Sequence, residues 1–593
     1  MKHRRSLIVP DYASKPFQEM FRELSNRPLP TLPIKSEYWR TIPSGDLRGS
    51  EARAAIGGYI AVLESALERA CRSRSLPFWL HVYRRVPVRA SGSRASWAAH
   101  RRAILETAMK KSGQMTLGPN MAWSDEVLPE RILGGRFVRC ASERFITSLR
   151  YSRIPVITEF GPQDLEQLHL LERIASELHR CGSALRNISW GSVIRVLSTQ
   201  ESYEEVQSKE LRTVIEIHDT RLGTLQASSI GVPLQFIDSK GQVGLIAQYN
   251  LGAYPISLLN RVVGASGMSL KFSSQPQFVW VPLPLLEYYR LHRPLADAFA
   301  QKHGCQLAAV FSVLVALSIH TPLRWRHNAE MLAHHWNLAL DDAITRQQLE
   351  TTVFGLAEFV AGLLDAPVSS EAELGTALHF LTLAEAKRSE LSPWLEGPVH
   401  LFMQVDDAYL VDYAWVISLL YTMFFGINTD DQHFKGRLLE DNVRGLGTQA
   451  LPSAPCRAAD GTSRQIDSSF VVDKTLVVVE CRAIGMSIGL SRGDERADQF
   501  RKNKIDKALH DASEKAAWLT TRPVGRNYRI DSRIRRICPI AVSSHVEFVP
   551  SAEPFYWLTD NKPRIMTPLE LKNWLSDGTF SSDIHNVVEI PTK

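Results

Sequence analysis

Two carboxylates near the carboxy terminus have the type and spacing for metal chemistry. They lie in RQIDSSFVVDKTLVVVECRA, residues 464–483, where Asp467 opens one β-branched run and Glu480 closes a second. β-Branched residues suit a pleated, half-buried surface, and Asp473-Lys474 between the runs suits a tight connection, so an antiparallel hairpin is expected. A hairpin turning at 473 and 474 sets Asp467 nearly opposite Glu480, within reach of one cation. Hard oxygen donors on a rigid hairpin suit Mg2+, with Mn2+ as a substitute, because Mg2+ takes one or two carboxylates and keeps waters and phosphate oxygens around it. Such a cation polarises a phosphoryl group and lowers the pKa of an attacking water, which is the chemistry of phosphodiester hydrolysis.

The flanking elements must hold that hairpin in place. Periodicity predicts helices over about 434–446 and 495–519, a strand over 534–543 and a last helix from Pro568, giving the order α-β-β-α-β-α. In the first helix Leu439, Val443 and Leu446 are set to pack on the sheet and Glu440 stands beside them. In the second, Ile505, Leu509, Ala512, Ala516 and Leu519 share one face and the lysines point outward. Thr567, Pro568 and Glu570 match a capping box with proline at the first helical position.

At these residues the sequence resembles the PD-(D/E)XK, or restriction-endonuclease-like, superfamily. Ile466-Asp467 corresponds to its first element, Glu480-Cys481-Arg482 to its second, and the resemblance covers roughly residues 431–593. It implies a nuclease domain in which Asp467 and Glu480 hold the metal, the carbonyl of Cys481 completes the shell, and Glu440 assists. DNA is the implied substrate, with RNA as the other polymer, in genome defence or DNA repair. The family's lysine is replaced by Arg482, which is planar, bulkier and effectively always protonated. Either Arg482 substitutes in stabilising charge, or a lysine of the next helix such as Lys504 or Lys507 takes the place, or the domain binds nucleic acid as a scaffold without cutting. Arg522, Arg526 and Arg529, with Lys504 and Lys507, are expected to hold the phosphate backbone, which gives affinity but no sequence reading.

At 593 residues the chain is too long for one core, and about 100–200 residues per domain implies several. The expected class is multidomain α/β. Residues 1–130 read as mostly helical, with Ile56, Tyr59, Ile60, Leu63, Ala66 and Leu67 on one face. Residues 131–290 read as mixed and β-rich, through VIRVL, RTVIEI, VPLQFI, GLIAQY and QFVWVPL and a turn at Asp238–Gly241. Residues 291–430 read as helical, with Leu349, Val353, Leu356, Val360 and Leu363 as one stripe. These three segments are expected to recognise a ligand or regulate the nuclease, alone or with a partner protein or a second copy.

A net charge of +6 spread over this surface is a weak attraction for polyanions, so local clusters matter more. Between Arg84 and Lys111 stand eight Lys or Arg against Glu106, which reads as a solvated face or a phosphate contact. Seven cysteines without a CxxC pair encode neither a disulfide framework nor a zinc ribbon, in keeping with a reducing cytoplasm. The apolar runs Leu307–Ile319 and Tyr413–Ile427 fall short of the ~20 residues that span a bilayer and read as core helices, so no membrane is expected. The group His334, His335, Asp341 and Asp342 matches no metal spacing, and His218-Asp219 reads as a strand end. No P-loop, GxSxG or HExxH occurs. Cys481 is expected to face away from Glu480 and Arg482, buried and inert.

Overall fold

The computed structural model describes residues 15–123, 156–229, 278–325, 341–424 and 434–591, each apart from short stretches, together with 246–250 and Ile427. The chain is mixed α/β with several small sheets, as its patterning implies. It forms two compact units, each assembled from separated stretches.

The first unit comprises residues 1–36, 58–181 and 232–428. At the centre of one of its cores lies the apolar helix Leu307–Trp325, with Val310, Phe311, Val313 and Leu314 fully buried. The run from Tyr413 gives a second core helix, Val416–Thr422. Among the described residues no helix is long and apolar enough to cross a membrane. The stretch from 291 to 430 is not wholly helical, because Asp341–Thr345, Thr382–Leu383, Phe402–Val405 and Ala408–Asp412 form a four-stranded sheet. Its expected single stripe is also divided. One helix ends at Gly355, a residue of poor helix propensity, and the next starts at Ala357, so Leu349, Val353 and Val360 are buried while Leu356 and Leu363 are partly so. The helix Gly49–Cys71, whose residues up to Gly57 count with the second unit, buries Ile56, Tyr59, Leu63 and Leu67 as the periodicity predicts.

The second unit comprises residues 37–57, 182–231 and 429–593. Strands β1 (Gly45–Leu47), β2 (Val193–Leu197) and β3 (Ser202–Val206) make a small antiparallel sheet. Helix α1 (Lys209–Ser229) follows, and it contains RTVIEI. That run was expected as a strand for its β-branched content. Its buried or half-buried positions Leu211, Val214, Ile215 and His218 fall at helical spacing, and packing overrides propensity. In the first unit, GLIAQY and QFVWVPL do yield strands, Ile246–Asn250 and Phe278–Pro282, paired in parallel. VPLQFI, the turn at Asp238–Gly241, and His334 with His335 lie outside the described residues.

The carboxy-terminal part then runs α2 (Phe434–Arg444), β4 (Ser468–Val472), β5 (Thr475–Arg482), α3 (Glu495–Thr521), β6 (Arg536–Ser543), β7 (Ile565–Met566), α4 (Pro568–Asp577) and β8 (Val588–Glu589). The sheet order is β4-β5-β6-β7, with β8 against β6. β4 and β5 pair antiparallel, β5 with β6 and β6 with β7 parallel. Strand β5 is buried on both faces, which is why it reads as a near-continuous apolar run. One face, Val477, Val479 and Cys481, packs with Leu439 and Val443 of α2 and Leu571 and Trp574 of α4. The other, Leu476 and Val478, packs with Ala516 and Leu519 of α3. Thr567 and Glu570 form the reciprocal cap of α4.

Candidate functional site

The hairpin fixes the two acids. Ser468 pairs with Val479, so Asp467, one residue before β4, stands opposite Glu480. The backbone N–H of Cys481 donates to Asp467 Oδ2 at 2.8 Å and turns Oδ1 toward α3. There Lys515 Nζ donates to Asp467 Oδ1 at 3.3 Å and to Glu480 Oε2 at shorter range. Glu480 Oε1 lies 2.7 Å from Arg482 Nη2, which also donates to Asp511 of α3. A chain of charges thus runs Asp467, Lys515, Glu480, Arg482, Asp511. Asp467 and Glu480 are 5% and 3% exposed, so these contacts act where water screens little.

Side-chain alternation along β5 sends Glu480 and Arg482 to the α3 face and Cys481 to the other, as expected. Burial first, then the charge of Asp467, pushes the Cys481 thiol well above its ordinary range, so it stays protonated and inert. On α3 the buried stripe is Ile505, Ala508, Leu509, Ala512, Ala516 and Leu519. Lys515 sits at its edge, where the small Ala512 and Ala516 leave room for its stem to reach inward.

Burial, and then the charge of Asp467, raises the Glu480 carboxyl above its usual range, against the opposing pull of Lys515 and Arg482. Burial works against the Lys515 ammonium, but Asp467 and Glu480 outweigh it and raise its pKa, so it is a fixed donor at neutral pH. Glu440 of α2 is raised by burial and then by Asp467. Acid is therefore in excess here, and a divalent cation is electrostatically suited to the place. The donor set fits Mg2+ as well, since Asp467 Oδ1 and Glu480 Oε2 already converge on one cation, the Lys515 ammonium. Among the described residues no three His, Cys, Asp or Glu side chains stand close enough to hold a metal between them, so Glu440 stands off from the pair.

Arg482, two residues after Glu480, is tied to Glu480 and Asp511. Neither Lys504 nor Lys507 reaches the acids. Lys504 Nζ lies 5.2 Å over the Phe500 ring, and Lys507 is eight residues, about 12 Å of helix, from Lys515. Lys515 is the functional candidate that the sequence reading missed. Its position at the border of the apolar stripe was a visible signal, but which lysine draws level with Glu480 depends on the connection from 483 to 494.

The arginines from 522 to 536 are not gathered with the acids. Arg535 N–H donates to Lys474 O, so this run ends at the turn end of the hairpin, whereas Glu480 is five residues beyond Thr475, about 16 Å along β5. Arg522 pairs with Asp460 and lies over Trp518, Arg526 donates to Ala459 O, and Arg529 is exposed. The earlier basic cluster is not a solvated face throughout, since Arg101, 1% exposed, is buried with Glu172 and donates to Val82 O and Val86 O. His218-Asp219 ends no strand. It lies within α1, with His218 Nδ1 3.0 Å from Asp219 Oδ1 and its ring against Trp190 and Phe548.

No family profile, no curated protein and no solved structure matches the chain.

Proposed function

We propose that the second unit is a metal-dependent nuclease of the PD-(D/E)XK type that hydrolyses phosphodiester bonds of DNA. The observation that carries this reading is the Lys515 ammonium joined to both Asp467 and Glu480 at the end of a buried hairpin. The order α-β-β-α-β-α around it supports the same fold family. Asp467, Glu480 and the Cys481 carbonyl would hold Mg2+, which when bound polarises the phosphoryl group and acidifies a water.

The remaining roles belong to the chain itself. Lys515, protonated and anchored by the acids, orients the attacking water and offsets charge on the phosphate. It does what the lysine two residues after the glutamate does in the family, from the helix instead. Glu480, its oxygens held by Lys515 and Arg482, serves as a metal ligand, and the water's proton passes to solvent. Arg482, held by Glu480 and Asp511, stabilises charge as it builds on the non-bridging oxygens. The test is cleavage of linear, supercoiled and single-stranded DNA and of RNA in Mg2+ or Mn2+. Loss of cutting in Asp467→Ala, Glu480→Ala and Lys515→Ala is expected. Cutting by none of the proteins, with binding retained, leaves a scaffold that grips nucleic acid without hydrolysing it.

A further inference from the structure

One face of α3 leads from solvent to the acids. At 100° per residue, Phe500, Lys504, Lys507, Asp511 and Lys515 fall on a single stripe, with the exposed Arg496 one turn before it. The opposite side of the helix is packed. Ile505, Ala508 and Leu509 are buried against α1 and β6, and Asp498 accepts from Trp190 Nε1 at 3.2 Å. The stripe forms one flank of the side that α3 leaves open, and the exposed His510 and Glu514, 3.6 Å apart, stand beyond it. Phe500 is 59% exposed, and Lys504 Nζ lies 5.2 Å above its ring. Asp511, the acid within the stripe, is answered by Arg482. Fifteen residues of helix separate Phe500 from Lys515, about 22 Å.

An exposed phenyl ring forgoes burial worth about 2 kcal/mol and adds nothing to the core, so its place invites a ligand reading. Stacking on an aromatic face suits any base, whereas a duplex keeps its bases stacked inside and offers a convex helix mainly phosphate. We propose that this stripe is a track for single-stranded nucleic acid. One base stacks on Phe500, Arg496, Lys504 and Lys507 neutralise the backbone, and the strand runs along α3 toward Lys515. The proposal rests on the nuclease reading and narrows its substrate to an unpaired strand or a frayed end.

The test is fluorescence anisotropy of the full chain carrying Asp467→Asn, without divalent metal, on labelled oligothymidine and on a duplex of equal length. Tighter binding to the single strand is expected. Adding Phe500→Ala weakens it roughly tenfold or more while Phe500→Trp keeps it. Lys504→Ala with Lys507→Ala flattens the salt dependence by about 0.7 in slope for each phosphate no longer neutralised. Equal or tighter duplex binding, or unchanged affinity in Phe500→Ala, overturns the track. Matched melting temperatures show that the variants fold. In Mg2+, failure of the wild-type chain to cut either polymer overturns the nuclease reading while the binding result still decides the track. Duplex cleavage untouched by Phe500→Ala overturns the track alone.

Discussion

Lys515 lies between Asp467 and Glu480, and burial and then the charge of Asp467 disfavour Glu480 as an anion. Removing it leaves those charges buried without their shared cation, so Lys515→Met should destabilise the second unit by about 3 kcal/mol at neutral pH. The sign of the pH dependence follows from Glu480. Its folded pKa is raised above the ordinary carboxylate value, so the folded form holds its proton to higher pH than the unfolded form, and stability falls as pH rises through that interval. Without the lysine the rise is larger, and the deficit of Lys515→Met should shrink on going from neutral to acid in urea titrations. An equal deficit at both would contradict the pairing. The lysine's own contribution, with its pKa raised, is complete below its unfolded pKa and is lost only as alkali titrates the folded form. Mg2+ in about hundredfold excess over its dissociation constant should stabilise the wild-type chain by about 2.7 kcal/mol, and Asp467→Asn should not respond. Arg482→Lys should leave cleavage little changed if Lys515 does the work proposed for it. A large gain would return that work to position 482.

The elements that place these residues were legible to different degrees, for physical reasons. The hairpin and α2 show strong periods, and α4 carries a full capping box, so their residue types and their packing agree. RTVIEI misleads because Val and Ile favour strands, while burial of Val214, with Ile217 beside it, against the carboxy-terminal sheet and helix makes the helix worth forming. Lys515 hid among four lysines of α3, since sequence sets the angle of each around the helix but not its height against β5. The arginines after Thr521 drew attention by density alone, and the parallel pairing of β5 with β6 puts them at the other end of the hairpin. Because α3 aims Lys515, Leu509→Ala in its buried face should cost about 2–5 kcal/mol, on the order of other large-to-small core changes, and lower cleavage as well. Thr567→Ala, which removes the cap of α4 beyond β7, two strands from β5, should cost about 1 kcal/mol and spare the rate. Equal effects of the two on turnover would mean that α3 has no special part in positioning.

The second unit draws segments from far apart in the chain, and the carboxy-terminal 163 residues are only part of it. Val214 of α1 packs with Ile505, Ala508, Leu509 and Ala541. Arg221 binds both oxygens of Glu570 at 2.7 and 3.1 Å and donates to Glu547 O and Ile565 O. Arg221→Ala should therefore cost about 2–3 kcal/mol through the loss of charge-assisted hydrogen bonds, read by denaturant melts. A fragment of residues 431–593 should melt well below the intact unit, so its activity would report missing packing before any release from regulation. The most direct test of the proposed chemistry is hydrolysis of DNA by the full chain in Mg2+. Cutting by the wild type should fall at least roughly a hundredfold in Lys515→Ala and vanish in Glu480→Ala, and cutting as fast by either variant as by the wild type would rule out a nuclease site at Asp467 and Glu480.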